Sequence, residues 1–152
     1  DNDDVPELVI YDESMGCYSI YTARDHAPLC MAESLFTVEL TYYERKGILC
    51  SFARWNGGGD EGGYGESFYP VSSEEAITDD TVPFLSYSYN AVYDDNGSYT
   101  GQGITSYYHM GQEVDEASYT ELMTGLDISQ DQSRPCLENA AEKEEILRQL
   151  NQ

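Results

Sequence analysis

Residues 86–110 read SYSYNAVYDDNGSYTGQGITSYYHM: a run with tyrosine at almost every second position, a turn sequence, and a second tyrosine-bearing run. A repeat of two residues is the period of a strand with two different faces, whereas a helix would scatter such residues around its circumference. Asn96 and Gly97 tolerate the positive φ that a tight hairpin turn needs. This stretch commits the centre of the chain to antiparallel sheet, and other segments must supply its neighbours.

Several segments qualify. Leu8, Val9 and Ile10 form a short apolar run in residues 6–11, and residues 17–22 follow with Tyr18, Ile20 and Tyr21, giving a hairpin joined through residues 12–16. In residues 36–43, Phe36, Val38, Leu40 and Tyr42 alternate with Thr37, Glu39 and Thr41, and residues 48–55 supply the return strand. WNGGGDEGGYGESFYP is rich in glycine, so it reads as a mobile loop with a short strand around Phe68 and Tyr69. It lacks the Gly-Lys-Ser/Thr ending of a phosphate loop and carries Asp60 and Glu61 where an anion would sit. Ser72 and Ser73 before Glu74 and Glu75 predict a helix of one or two turns. Asp115 predicts the cap of a second short helix, over residues 116–124 and stopped by Gly125. A final helix is predicted from Pro135 or Cys136 onward, with Leu137, Ala140, Ala141, Leu147 and Leu150 on one face. The expected class is α+β, in one domain spanning residues 1–152: a mostly antiparallel sheet of hairpins, short helices late in the chain and a C-terminal helix.

Charge narrows the partners. Seven Lys and Arg against 29 Asp and Glu give a net charge of −22, which repels phosphate backbones and anionic lipid. Nucleic acid is excluded as a natural partner. No apolar stretch approaches the ~18 residues that a membrane span requires, so direct membrane insertion is not expected. Cys17, Cys30, Cys50 and Cys136 are even in number and contain no C-x-x-C pair, which excludes a zinc ribbon or a thioredoxin-like motif. Disulfides or buried thiols remain, and three pairings are open. Abundant Tyr, Ser and Gly with few lysines favours an exported chain and hence two disulfides.

The chain opens DNDDVPELVIYD. Calcium loops of the form D-x-D-x-D-G-x-x-E turn every second residue toward one centre, and a backbone carbonyl completes the shell. Asp1, Asp3, the carbonyl of Val5 and Glu7 match the third, fifth, seventh and ninth positions. Asp4 then holds the glycine position, which aspartate fills because it tolerates the left-handed conformation. The loop's first aspartate would precede Asp1, so an upstream segment is expected; the alternative is a solvated acidic terminus. Asp94 and Asp95 form a second, weaker candidate that serves equally as a hairpin turn.

DNDDVPELVIYD followed by YSIYTARD resembles the D-x-D-G-D-G-x-P-E-L strand start of many secreted proteins and lipoproteins of Gram-positive gut bacteria. GILCSFARWNGGGDEGGYGESFYPVS is similar to their strand, glycine loop and aromatic strand, and YYHMGQEVDEASYTELM to their acid-rich helix start. The resemblance implies an extracellular or cell-surface module, lipid-anchored in the full-length protein, with no established common activity.

For catalysis, His26 in RDHAPLC near Cys17 or Cys30 is a conceivable thiol–imidazole couple, and His109 lies in a strand-like run; neither has a recognisable signature around it. Binding is the stronger expectation. Trp55 with Tyr87, Tyr89 and Tyr107 can form an aromatic platform, because such rings stack on sugars or fill pockets of a protein interface. The same alternation also serves half-buried strand faces. The sequence therefore predicts an extracytoplasmic structural or ligand-binding module for a protein or carbohydrate ligand, with calcium at its first turn; the alternative is a secreted hydrolase of unknown substrate class.

Overall fold

Alternation of ring-bearing and small residues shapes two antiparallel sheets, seen in a computed structural model that describes residues 7–24, 27–43, 46–56, 62–71, 75–128 and 133–136. The strands are β1 (Leu8–Asp12), β2 (Cys17–Arg24), β3 (Ala27–Phe36), β4 (Glu39–Tyr43), β5 (Ile48–Asn56), β6 (Gly62–Pro70), β7 (Leu85–Tyr93), β8 (Tyr99–His109), β9 (Gln112–Val114) and β10 (Ser133–Pro135). The single helix among the described residues is α1 (Glu116–Gly125). The small sheet has the order β1-β2-β3, and the large one β10-β4-β5-β6-β7-β8-β9, antiparallel throughout. Among the described residues the fold is thus mostly antiparallel β.

Local chemistry explains the joints. Asp12 closes the β1–β2 turn by accepting from the Ser14 amide at 2.9 Å and the Met15 amide at 3.2 Å, while Gly16 takes φ +68°. Asp94 does the same between β7 and β8, accepting from the amides of Asn96 and Ser98, each at 2.9 Å. Asp115 caps α1 through the Ser118 amide at 2.7 Å, as its position before the helix predicts.

Two apolar clusters lie on opposite faces of the large sheet. Leu40 and Leu49 pack with Tyr18, Ile20, Met31, Ala32 and Leu35 of the small sheet and with Ile77. Cys50, Phe68 and Leu85 face the other way, with Tyr43, Ile48 and Tyr119 of α1. The adjacent residues Leu49 and Cys50 point into different cores, as successive strand residues must. The result is three layers: small sheet, large sheet, helix.

Several segments depart from expectation. The strand predicted over residues 36–43 is broken at Thr37 and Val38, because the Thr37 hydroxyl (2.6 Å) and the Val38 amide (3.0 Å) both donate to the Phe52 carbonyl. Phe36 and Val38 are consequently exposed rather than on one face with Leu40. β3 includes part of the segment read as a loop around His26, and His26 itself lies outside the described residues. β6 extends back into the glycine-rich segment as far as Gly62, and residues 57–61 lie outside the described set. Residues 72–74 do too; beyond them the chain is held not in a helix but by Ile77, whose amide donates to Met31 and whose carbonyl accepts from Glu33, both at 2.9 Å. Pro135, where the last helix was expected to begin, ends strand β10 instead, and the Cys136 amide donates to the Leu40 carbonyl. Residues 137–152 lie outside the described set.

Candidate functional site

Cross-strand partners present their side chains on the same face, so the pairing register reads as rows. On the helix side of the large sheet one row runs Thr41, Cys50, Phe68, Leu85, His109 and is largely core. The next runs Glu39, Phe52, Glu66, Tyr87, Tyr107, and the third Arg54, Tyr64, Tyr89, Thr105. Tyr93 and Tyr99 face each other beyond these, at the start of the hairpin turn.

Helix α1 covers only part of this face. Tyr119 packs its ring 4.9 Å from that of Tyr107 and 6.4 Å from that of Tyr87, which half-buries both. Past the helix the rings continue, with Phe52, Tyr89 and Tyr93 half-buried among their neighbours and Tyr64 and Tyr99 exposed. The Phe52 and Tyr64 centroids are 6.2 Å apart, and Tyr64 stacks on Tyr89 at 5.1 Å with 24° between their planes. The Tyr89 and Tyr99 hydroxyls share a hydrogen bond at 3.1 Å, and Tyr99 approaches Tyr93 at 5.9 Å. Arg54 stands 5.2 Å over the Phe52 ring, a cation–π contact. Tyr64 and Tyr99 are 40% and 54% exposed, so the strip is open to a ligand.

Glycine makes room for this strip. A Cβ on Gly103 would lie 2.0 Å from Cζ of Tyr89, so that ring rests where no larger residue than glycine can stand. The opposite face uses the same device. The Trp55 indole lies across Gly63, where a Cβ would be 2.8 Å from Cε2, and its Nε1 donates to Asn90 Oδ1 at 3.2 Å.

Polar groups line the strip's inner margin. Half-burial raises the pKa of Glu66, a hydrogen bond from Tyr87 offsets part of that, and the neighbouring charge of Glu39 adds to it. Burial, then the charge of Glu66, pushes the Tyr87 hydroxyl up to about 12, and burial raises Tyr119 as well. These phenols stay protonated at neutral pH and can donate. The margin thus combines an acceptor carboxyl, a guanidinium and hydroxyl donors beside flat apolar rings. Two other surface depressions flank α1, one lined by Phe84, Leu122 and Leu126 and the other by Glu116, Thr120 and Thr124; both are open grooves.

The residues singled out in the sequence are distributed as follows. Tyr89 stands in the open strip, Tyr87 and Tyr107 share its face but sit beneath α1, and Trp55 is on the other face. Phe52, Tyr64 and Tyr99, which sequence reasoning did not select, complete the strip together with Tyr93 of the SYSYNAVY run. Asp1, Asp3 and Val5 lie outside the described residues, while Glu7 is exposed just before β1. Among the described residues no group of three or more His, Cys, Asp or Glu converges as a metal site would, and Asp94 spends its oxygen on turn amides. No disulfide joins Cys17, Cys30, Cys50 and Cys136 in this structure. Cys50 and Cys136 belong to clusters on opposite faces of the sheet. Cys17 and Cys30 are held apart along β2, since Cys30 pairs with Tyr21, about 13 Å of strand from Cys17 and beyond the ~7 Å a disulfide tolerates. His109 packs edge-on against Phe84 at 4.9 Å. No helix among the described residues is long and apolar enough to cross a membrane. Comparison of the chain with family models, with curated proteins and with solved structures yields no match in any of the three.

Proposed function

We propose that this chain is a carbohydrate-binding module of an exported, cell-surface protein, and that it holds its ligand on the ring-lined face of the large sheet. The observation that carries this reading is the open strip Phe52, Tyr64, Tyr89, Tyr99, fixed by stacking and bordered by Arg54 and Glu66. Sugar rings present apolar C–H faces and a rim of hydroxyls, which matches flat rings with hydrogen-bonding groups at their margin. Net charge −22 favours neutral or cationic glycans over acidic ones.

Calorimetry against a panel of neutral and amino-sugar oligosaccharides tests the reading. Tyr64→Ala and Tyr89→Ala should each weaken binding at least about tenfold, the effect of ~1.4 kcal/mol. Gly103→Ala should weaken it too, by displacing the Tyr89 ring. Sugars that bind these variants as well as the parent would refute the site, and a panel with no binder would refute the ligand class.

Calcium at Asp1, Asp3, the Val5 carbonyl and Glu7 belongs to the same proposal. Its support is the alternate spacing of oxygens in the sequence. Binding to the native state raises the melting midpoint, so excess calcium should stabilise the chain relative to chelator. Equal midpoints would remove the ion from the proposal and leave the sugar site standing.

A further inference from the structure

Among the described residues, the outer edge of β8 is open for most of its length. β9 pairs only with Tyr107, Tyr108 and His109, so the backbone from Tyr99 to Ser106 has β7 on one side and, among the described residues, no strand on the other. Every residue from Tyr99 to Thr105 is exposed. A free edge of this kind is a template for another strand, and proteins ordinarily guard it with lysine, proline or a bulge.

That guard is missing here. Asn96 to Gln112 are 17 consecutive residues without Asp, Glu, Lys, Arg or Pro, the longest uncharged run in a chain of net charge −22. The register shift beside Gly101, with φ +79°, is confined to the hairpin end, and Gln102 to Ser106 continue in unbroken pairing with β7. The strand also exposes Tyr99 at 54% and Ile104 at 61%.

We infer that this edge joins two copies of the chain, β8 to β8, antiparallel about a two-fold axis normal to the sheet. Charge selects the occupant. Two bodies of net charge −22 repel over most of their surfaces, and the neutral strip is where they approach at least cost. A cationic foreign segment would instead be drawn to the acid-rich surfaces and gain nothing from an uncharged edge. A two-fold contact requires a patch that complements itself, and an exposed neutral strand does so through its own N–H and C=O groups. The joined sheet has fourteen strands, with the ring strips of both copies on one side. The inference rests on the edge and not on the ligand of the rings.

Sedimentation velocity of the full chain, in reductant to prevent disulfide-linked species, tests it. Association should strengthen when salt rises from about 0.01 M to about 1 M, because the screening length falls from about 30 Å to about 3 Å. Ile104→Lys should weaken it at least about tenfold. Met15→Lys, the same charge change at an exposed residue of the β1–β2 turn, should not. In the unmutated chain, amides of Gln102 to Ser106 should gain protection from hydrogen exchange as concentration rises. A monomer at every concentration and salt, association untouched by Ile104→Lys, or no gain in protection would each overturn the inference.

Discussion

Glu66 sits between Phe52 and Tyr87 in a row of otherwise neutral side chains except for Glu39 at its end, and its half-burial makes ionisation costly. Its folded pKa is raised above the ordinary glutamate value near 4.5. Between those two values the native state holds more proton than the unfolded state, so stability falls as pH rises through that window. Glu66→Gln removes the ionisation and leaves an acceptor for Tyr87. The variant should therefore melt above the parent at neutral pH, with the gap closing toward about pH 4. Melts of both proteins across that range check it, and a gap independent of pH would assign Glu66 a purely steric role. The thiols are also controlled by burial: it pushes Cys50 and Cys136 up to about 12, so neither is an available nucleophile at neutral pH. Alkylation without reductant, read by intact mass, should add four adducts in denaturant and spare Cys50 and Cys136 in the native chain. Two disulfides would leave no adduct at all.

At the level of elements, the clear hairpins were legible in the sequence because their turns carry their own chemistry. Asp12 with Gly16, and Asp94 with Gly97, cap and bend the chain whatever packs around them. The Asp115 cap was legible for the same reason. β6 was not. Glycine lowers strand propensity, and its presence at positions 62, 63 and 65 becomes intelligible only when Tyr93 is seen lying against Gly62 and the Trp55 indole across Gly63 and Gly65. Reading its first half as loop hid Tyr64 and so hid the centre of the ring strip, while the face on which Trp55 falls depends on register across three strands. The break at Thr37 was equally invisible, since it depends on a carbonyl 15 residues away. The opposed cores make a further prediction. Ile20 is in one cluster and Ile48 in the other. Ile20→Val and Ile48→Val should each cost about 0.5–1.5 kcal/mol. The double variant should equal their sum within about 0.5 kcal/mol in denaturant titration, because the sites share no contact. A coupling well above that would mean the sheet transmits strain between its faces.

For the whole molecule, the two cores and the binding face occupy different parts of one sheet. The small sheet clamps the β4–β5 end from one side and α1 covers β7 and β8 from the other, but the strip from Tyr64 to Tyr99 lies beyond both. Acidic charge is spread through the sequence, yet it stops at the uncharged run of β8. Among the described residues, β7 has no register partner in β6 beyond Asn90, so the hairpin ending at Tyr93 and Tyr99 resembles a springboard fixed at one end. Bending amplitude in such a beam grows toward its free tip. The outermost rings should therefore sweep through the widest arc and make first contact with a passing ligand, while Phe52 and Tyr64, nearer the clamp, set how firmly it is kept.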